Sequence, residues 1–190
     1  MAKPNPPVEN EAQTGDTLLP NWKEQALFWS IAGVGIAADL WSKSAVHAWL
    51  KDLPGQVYPV FHNMKMEIGL QMLWKENTGA AFSMAQGKMG MLAIVSMVAM
   101  VAVVGIFLFG RVRSRLLLVA LALFLGGIIG NLHDRLFNPG GVRDFIDVYC
   151  LKLPENHRHW PTFNVADSML CVGMGILILL QFLPVKKKTQ

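Results

Sequence analysis

The sequence predicts a mainly α membrane protein, with four transmembrane helices and a small extracytoplasmic β-sheet on the outer face. Three observations lead there. Of the 190 residues, 53% are hydrophobic and only 16% charged, a balance too apolar for an ordinary soluble domain. Four stretches approach the roughly 20 mostly apolar residues that a helix needs to cross a bilayer core. Between two of them, one segment alternates apolar and polar residues with the period of a strand.

Residues 1–22 are rich in Pro, Asn and acidic groups and show no apolar periodicity, so they read as a disordered cytoplasmic tail. The first apolar run begins only near Ala26, too late for a signal peptide with a basic start and a short core, and it reads as an uncleaved helix. Helices are expected at about 25–45, 89–110, 115–136 and 163–184, in a single domain spanning residues 23–190. The first contains Asp39, the second contains no charge, and the third and fourth carry polar groups at one end.

Lys3 and Lys23 precede the first helix, Arg111, Arg113 and Arg115 join the second to the third, and Lys186 to Lys188 close the chain. Basic flanks of this kind belong on the cytoplasmic side. Both termini are then inside and the two longer connections outside. The net charge of +4 follows from these short clusters, and no basic stripe suggests nucleic acid. Sheet segments are expected at about 56–76 and 142–151. Met64, Met66, Ile68, Leu70, Met72 and Trp74 occupy one face of the first, opposite Lys65, Glu67, Gly69 and Gln71. Val57 to Phe61 and Val142 to Leu151 are its candidate partners. A purely structural sheet and a substrate platform fit this pattern equally well.

On this topology the unusual polar residues all map to the outer boundary: Asp39 and Lys43, Asn77, Asn131 with Asp134 and Arg135, and Asn164 with Asp167 and Ser168. Ionisable groups at membrane depth are costly, so they pair or line a polar cavity. Asp39 and Lys43 are four apart, as are Asn131 and Arg135, and Asn164 lies three before Asp167, so each set shares a helix face. Gly126, Gly127 and Gly130 precede Asn131 in a small-xxx-small pattern that admits a close helix neighbour.

Plainer accounts compete. Spacing favours interfacial salt bridges, Asp39 with Lys43 and Asp134 with Arg135, that anchor helix ends. Asn164 can cap a helix start, and Asp144 and Asp147 can be solvated loop charges. His157 and His159 lack an evident third ligand and read as an exposed loop, so no metal is assigned. Cys150 and Cys171 show no pairing pattern. A small transporter or channel would want charge spread through the membrane depth, whereas here it gathers at one end. A non-catalytic assembly factor would need no particular aspartates.

Five motifs, in order, resemble the lipoprotein signal peptidases, or signal peptidase II: DLWSK at Asp39 to Lys43, NTGAAFS at Asn77 to Ser83, GGIIGNLHDR at Gly126 to Arg135, GGVRDFIDVY at Gly140 to Tyr149, and FNVADS at Phe163 to Ser168. The resemblance implies an aspartyl endopeptidase of the bacterial cytoplasmic (inner) membrane, a globomycin target, with catalytic aspartates at Asp144 and Asp167. It implies that Asp39, Lys43, Asn77, Asn131, Arg135 and Asn164 support the pair or contact substrate. The implied partners are prolipoprotein signal peptides carrying a diacylglyceryl cysteine, cut just before that cysteine, together with membrane lipids. No cofactor, metal or nucleic acid is implied, and the enzyme is expected to act as a monomer. Two details depart from the pattern: Arg143 stands beside Asp144 where an apolar residue is expected, and the loop from Pro154 to Trp160 is long and charged.

Overall fold

The computed structural model describes residues 19–79, 87–112 and 114–182. Most of the expected N-terminal tail, Ala80 to Gln86 of the NTGAAFS region, Arg113 and Lys186 to Lys188 lie outside the described residues. The chain is mostly helical, with α1 at Trp22–Leu50, α2 at Met89–Phe109, α3 at Arg115–Phe137 and α4 at Val165–Phe182. Three strands, β1 at Val57–Asn63, β2 at Ile68–Asn77 and β3 at Val142–Cys150, form one antiparallel sheet in the order β1-β2-β3. Helices α2, α3 and α4 are each long and apolar enough to cross a membrane.

Helix α1 starts earlier and ends later than its apolar run predicts. Asn21 Oδ1 accepts from the backbone N–H groups of Lys23 and Glu24, at 3.0 and 3.1 Å, while Glu24 Oε2 accepts from Asn21 N–H at 2.9 Å. This capping box satisfies donors that a helix start otherwise leaves open, so Trp22 is helical rather than part of a tail. At the other end, His47 and Leu50 are buried and lie four and seven residues after Lys43. They continue its inward face, and the helix follows to Leu50.

The strand expected to start at Met64 begins only at Ile68. Asn63 Oδ1 accepts from Lys65 N–H at 3.1 Å and Met66 N–H at 2.9 Å, the local bonding by which Asn makes a turn. Met64 and Met66 therefore sit exposed at a hairpin tip. A second irregularity matters more. Met72 pairs with Ile146 and Lys75 with Asp144, three residues against two. This β-bulge reverses the alternation of β2, and Lys75 and Asn77 come onto the face that Met72 occupies.

Helix α3 is the centre of the bundle, packed against α1, α2 and α4. On the side away from the sheet, Phe28 of α1 stacks on Phe107 of α2 with ring centroids 3.8 Å apart, and Leu118, Leu121 and Leu125 of α3 join them. Towards the sheet, α3 turns to glycine. A Cβ on Gly127 would lie 2.6 Å from the Ala166 carbonyl oxygen and 2.7 Å from Leu170 Cγ. One at Gly130 would collide with the Asp39 carboxyl. These absent side chains let α1 and α4 approach α3 closely enough to share polar contacts.

Gly127→Ala should therefore lower the stability of the detergent-solubilised protein by about 1–3 kcal/mol, the usual cost of overpacking. Gly105→Ala, where a Cβ meets nothing within 4 Å, should leave the melting temperature unchanged or raise it slightly. Equal melting temperatures for the two variants would contradict the packing described.

Candidate active site

Asp144 lies on β3 and Asp167 in the first turn of α4, and one residue holds both. Asn164 donates from Nδ2 to Asp144 Oδ1 at 2.8 Å and from its backbone N–H to Asp167 Oδ2 at 3.2 Å. Its Oδ1 accepts from Asp167 N–H at 2.9 Å. The Asn164 oxygen thus caps α4 while the nitrogen reaches the strand.

The remaining carboxylate oxygens have donors of their own. Asp144 Oδ2 accepts from Asn77 Nδ2 at 3.1 Å, and Asp167 Oδ1 from Asn131 Nδ2 at 2.8 Å. Asn131 must then present its oxygen on the other side, where it accepts from Lys43 Nζ at 3.0 Å and Asn164 Nδ2 at 3.1 Å. An ammonium and a backbone N–H can only donate, so Lys43 on Asn131 Oδ1, Gly79 N–H on Asn77 Oδ1 and Asp167 N–H on Asn164 Oδ1 fix the direction of each amide.

Beneath the pair lies a fully buried charge cluster. Lys43 Nζ is 2.7 Å from Asp39 Oδ2 and 3.4 Å from Asp134 Oδ2. Asp39 Oδ1 accepts from Ala166 N–H, near the start of α4, at 2.8 Å. The pairing of Asp39 with Lys43 is thus present, but it is buried in the bundle rather than anchoring an exposed helix end. Asp134 does not pair with Arg135, because adjacent helix residues point in different directions. Its partner is Arg143, whose Nη2 lies 2.6 Å from Asp134 Oδ1. Arg135 instead donates to Ser96 Oγ of α2 at 3.2 Å.

Asp147, read as a possible solvated charge, is also buried, bonded by Gln71 Nε2 and paired with His159 Nδ1, each at 2.7 Å. His159 therefore pins the segment before α4 against the sheet, while His157 lies exposed in a short turn. Among the described residues no three His, Cys, Asp or Glu side chains gather as metal ligands.

Asp144 and Asp167 open onto one cavity of about 280 Å³, which Asn77, Asn131 and Arg135 also line. Trp160, Leu170 and Val142 give it an apolar wall. Asp39, Lys43 and Asn164 stand behind that lining, so every residue singled out for the site is brought to one place. The sequence did not reveal Arg143 as Asp134's partner or Trp160 as a wall. Strand alternation could have found the first, because Arg143 must point away from Asp144.

Burial and the neighbouring Asp167 carboxylate push Asp144 from the ordinary 3.8 up to about 7, against the Asn77 and Asn164 donors and the Lys43 charge. Between those values the folded protein holds a proton that the unfolded chain has lost, so stability falls as pH rises through that window. Asp144→Asn imitates the protonated acid. Its stability relative to the parent should rise on the order of 4 kcal/mol from pH 4 to pH 8, read from denaturation in one detergent at both pH values. A pH-independent difference would contradict the placement of Asp144.

Lys43→Met leaves Asp39 and Asp134 facing each other without the ammonium between them. Breaking a buried pair in this way should cost about 3–5 kcal/mol, seen as a large drop in melting temperature at pH 7. A melting temperature within a degree or two of the parent would refute it.

Helices long and apolar enough to cross a membrane, with two amide-held carboxyls opening onto one cavity under a small sheet, describe a membrane protein with a polar cavity at one end of its bundle. Residues 31–183 match the model of peptidase family A8, signal peptidase (SPase) II. The lipoprotein signal peptidase of Rhodopirellula baltica is 38% identical over 168 residues, covering 83% of this chain and 72% of that protein. That of a Sulfurihydrogenibium species is 37% identical over 162 residues, covering 82% and 91%. A bacterial membrane enzyme solved by the in meso method at 2.3 Å resolution superposes with a TM-score of 0.66 at 26% identity, covering 87% of this chain and 94% of that one. The chain belongs to the signal peptidase II family.

Proposed function

We propose that this membrane peptidase removes signal peptides from bacterial prolipoproteins by means of Asp144 and Asp167, cutting before a diacylglyceryl-modified cysteine. The observation that carries the reading is the double grip of Asn164 on both carboxyls at the edge of one cavity. Two carboxyls opening onto one desolvated cavity resist double ionisation, so one keeps its proton near neutral pH. The high value of Asp144, about 7, fits that requirement.

The chemistry needs only that shared proton and a water. The ionised carboxylate takes a proton from water as its oxygen attacks the scissile carbonyl, and the protonated carboxyl donates to the developing oxyanion. The tetrahedral intermediate then breaks at the C–N bond: the carboxyl that took water's proton gives it to the leaving amine, and a hydroxyl of the gem-diol returns its proton to the other carboxylate as the new acid carbonyl forms. Both acids finish as they began. The pair titrates as a unit, so acid and base roles belong to the dyad. Asn77, Asn131 and Asn164 hold it, Asp39 and Lys43 brace Asn131 and α4, and Arg135 faces the cavity.

In the bilayer all four helices span, giving one protease domain. The 29-residue α1 extends about 43 Å, longer than the hydrocarbon core, and its buried Asp39 and Lys43 face the bundle rather than lipid. Lys23 at the start of α1 and Arg111 and Arg115 between α2 and α3 lie at the end opposite the dyad, which supports cytoplasmic termini and a site near the outer leaflet of the inner membrane. A lipid-modified cysteine holds its scissile bond near that depth, and the apolar wall of Trp160 and Leu170 suits a substrate arriving from lipid. Dyad, amides and cations come from one chain, consistent with a monomer.

Asp144→Asn and Asp167→Asn should each lower cleavage of a lipidated precursor by about three orders of magnitude while the protein stays folded. Mass spectrometry of the product should place the cut immediately before the lipidated cysteine, with an unlipidated precursor left intact. Normal processing by either purified variant would falsify the dyad assignment.

A further inference from the structure

Arg143 precedes Asp144 on β3, and because successive strand residues point to opposite faces, its side chain reaches away from the cavity. Its Nε lies 3.2 and 3.3 Å from the two Asp134 carboxylate oxygens and its Nη2 2.6 Å from Oδ1. Its own backbone N–H donates to Asp134 Oδ2 at 3.0 Å. Nη1 donates to Ser44 Oγ on α1 at 3.2 Å, and the Arg143 carbonyl accepts from Asn164 Nδ2 at 3.3 Å. One residue therefore ties β3 to α1 and α3 and to the amide that grips Asp144.

Its charge matters as much as its bonds. Asp39 and Asp134 are fully buried beside Lys43, and with Arg143 the cluster holds two carboxylates and two cations. An apolar residue at position 143 would leave two carboxylates to one ammonium. Asp134 would then compete for Lys43 Nζ, which already bonds Asn131 Oδ1 at 3.0 Å. Asn131 is the residue that donates to Asp167. Disturbance at Arg143 thus has a route to each carboxyl, through its backbone to Asp144 and through Lys43 and Asn131 to Asp167.

We infer that Arg143 is a positioning residue for cleavage: by neutralising Asp134 and fixing the strand it holds Asp144 and Asp167 in register with each other. This rests on the assignment of those two aspartates as the reacting pair. The side chain touches no cavity atom and is outside the lining, so it acts on turnover through the dyad and leaves substrate affinity alone.

The experiment compares four variants of the full-length protein in one detergent with a lipidated precursor peptide, measuring kcat and KM separately. Arg143→Leu should lower kcat at least tenfold with KM within twofold of the parent. Arg143→Lys, which keeps the charge but loses the fork, should fall between the two. The double variant Asp134→Asn with Arg143→Leu, which again balances one carboxylate with one ammonium, should recover most of the lost kcat. Asp144→Asn serves as the reference. If it is inactive while Arg143→Leu and Arg143→Lys both turn over like the parent, the role of Arg143 is refuted and the dyad stands. If Asp144→Asn is active, the dyad assignment itself fails. Should Arg143→Leu not fold, a double variant that folds but turns over at least tenfold more slowly than the parent overturns the charge-balance argument.

Discussion

A fully buried ammonium has to be surrounded by acceptors, and Lys43 imposes that condition on most of the molecule. Its Nζ meets Asp39 one turn back on its own helix, Asp134 and Asn131 on α3, and the Gly130 carbonyl at 3.4 Å. Those contacts require α1 and α3 to touch, and Gly130 has no side chain where the Asp39 carboxyl sits. Asp39 in turn accepts from the backbone of Ala166, which brings in α4 at the turn that carries Asp167. The polar end of the bundle is thus assembled around one charge, and without it the carboxyls would repel rather than pack.

Amides complete what the charge begins. Carboxylates only accept, so two of them side by side need donors between them, and charged donors would drive both to ionise. Asn77, Asn131 and Asn164 supply hydrogen bonds without net charge. Lys43 and Arg143 sit one layer below, while Arg135 and Lys75 line the same cavity, Arg135 donating to Ser96 Oγ. The desolvation that makes Asp144 hard to ionise also lowers folding stability as pH rises from the ordinary carboxylate range to about 7.

Much of this architecture was legible in the sequence. Apolar runs located four helices, and the period-two alternation expected from Met64 to Trp74 located β2 from Ile68 on. The motifs then singled out Asp144, which hydropathy alone left among ordinary loop charges. What escaped were contacts that depend on irregular backbone. A strict alternation puts Asn77 on the face opposite Met72, and only the bulge before Lys75 turns it towards Asp144. Asp134 looked like the partner of Arg135 because they are neighbours in the chain. The tight connection at Asn138 to Gly141 folds β3 back so that Arg143 arrives instead, with Gly141 at φ 99° making the turn.

That connection also explains why a small sheet accompanies a helical bundle. Helices deliver side chains at fixed heights, and two carboxyls on neighbouring helices would each bring their own turn of backbone between them. A strand entering from above approaches edge-on, with one residue facing the cavity and the next facing the bundle. Asp144 and Arg143 use the two faces of one strand for opposite tasks. The far edge of β3 is closed by the segment before α4, where Trp160 N–H donates to the Val148 carbonyl at 2.8 Å and Phe163 pairs with Ile146. His159 on Asp147 fixes the start of that segment and Asn164 its end. The strand is therefore held on both sides, and the one residue that bridges the two carboxyls sits where the sheet hands the chain back to the membrane helix.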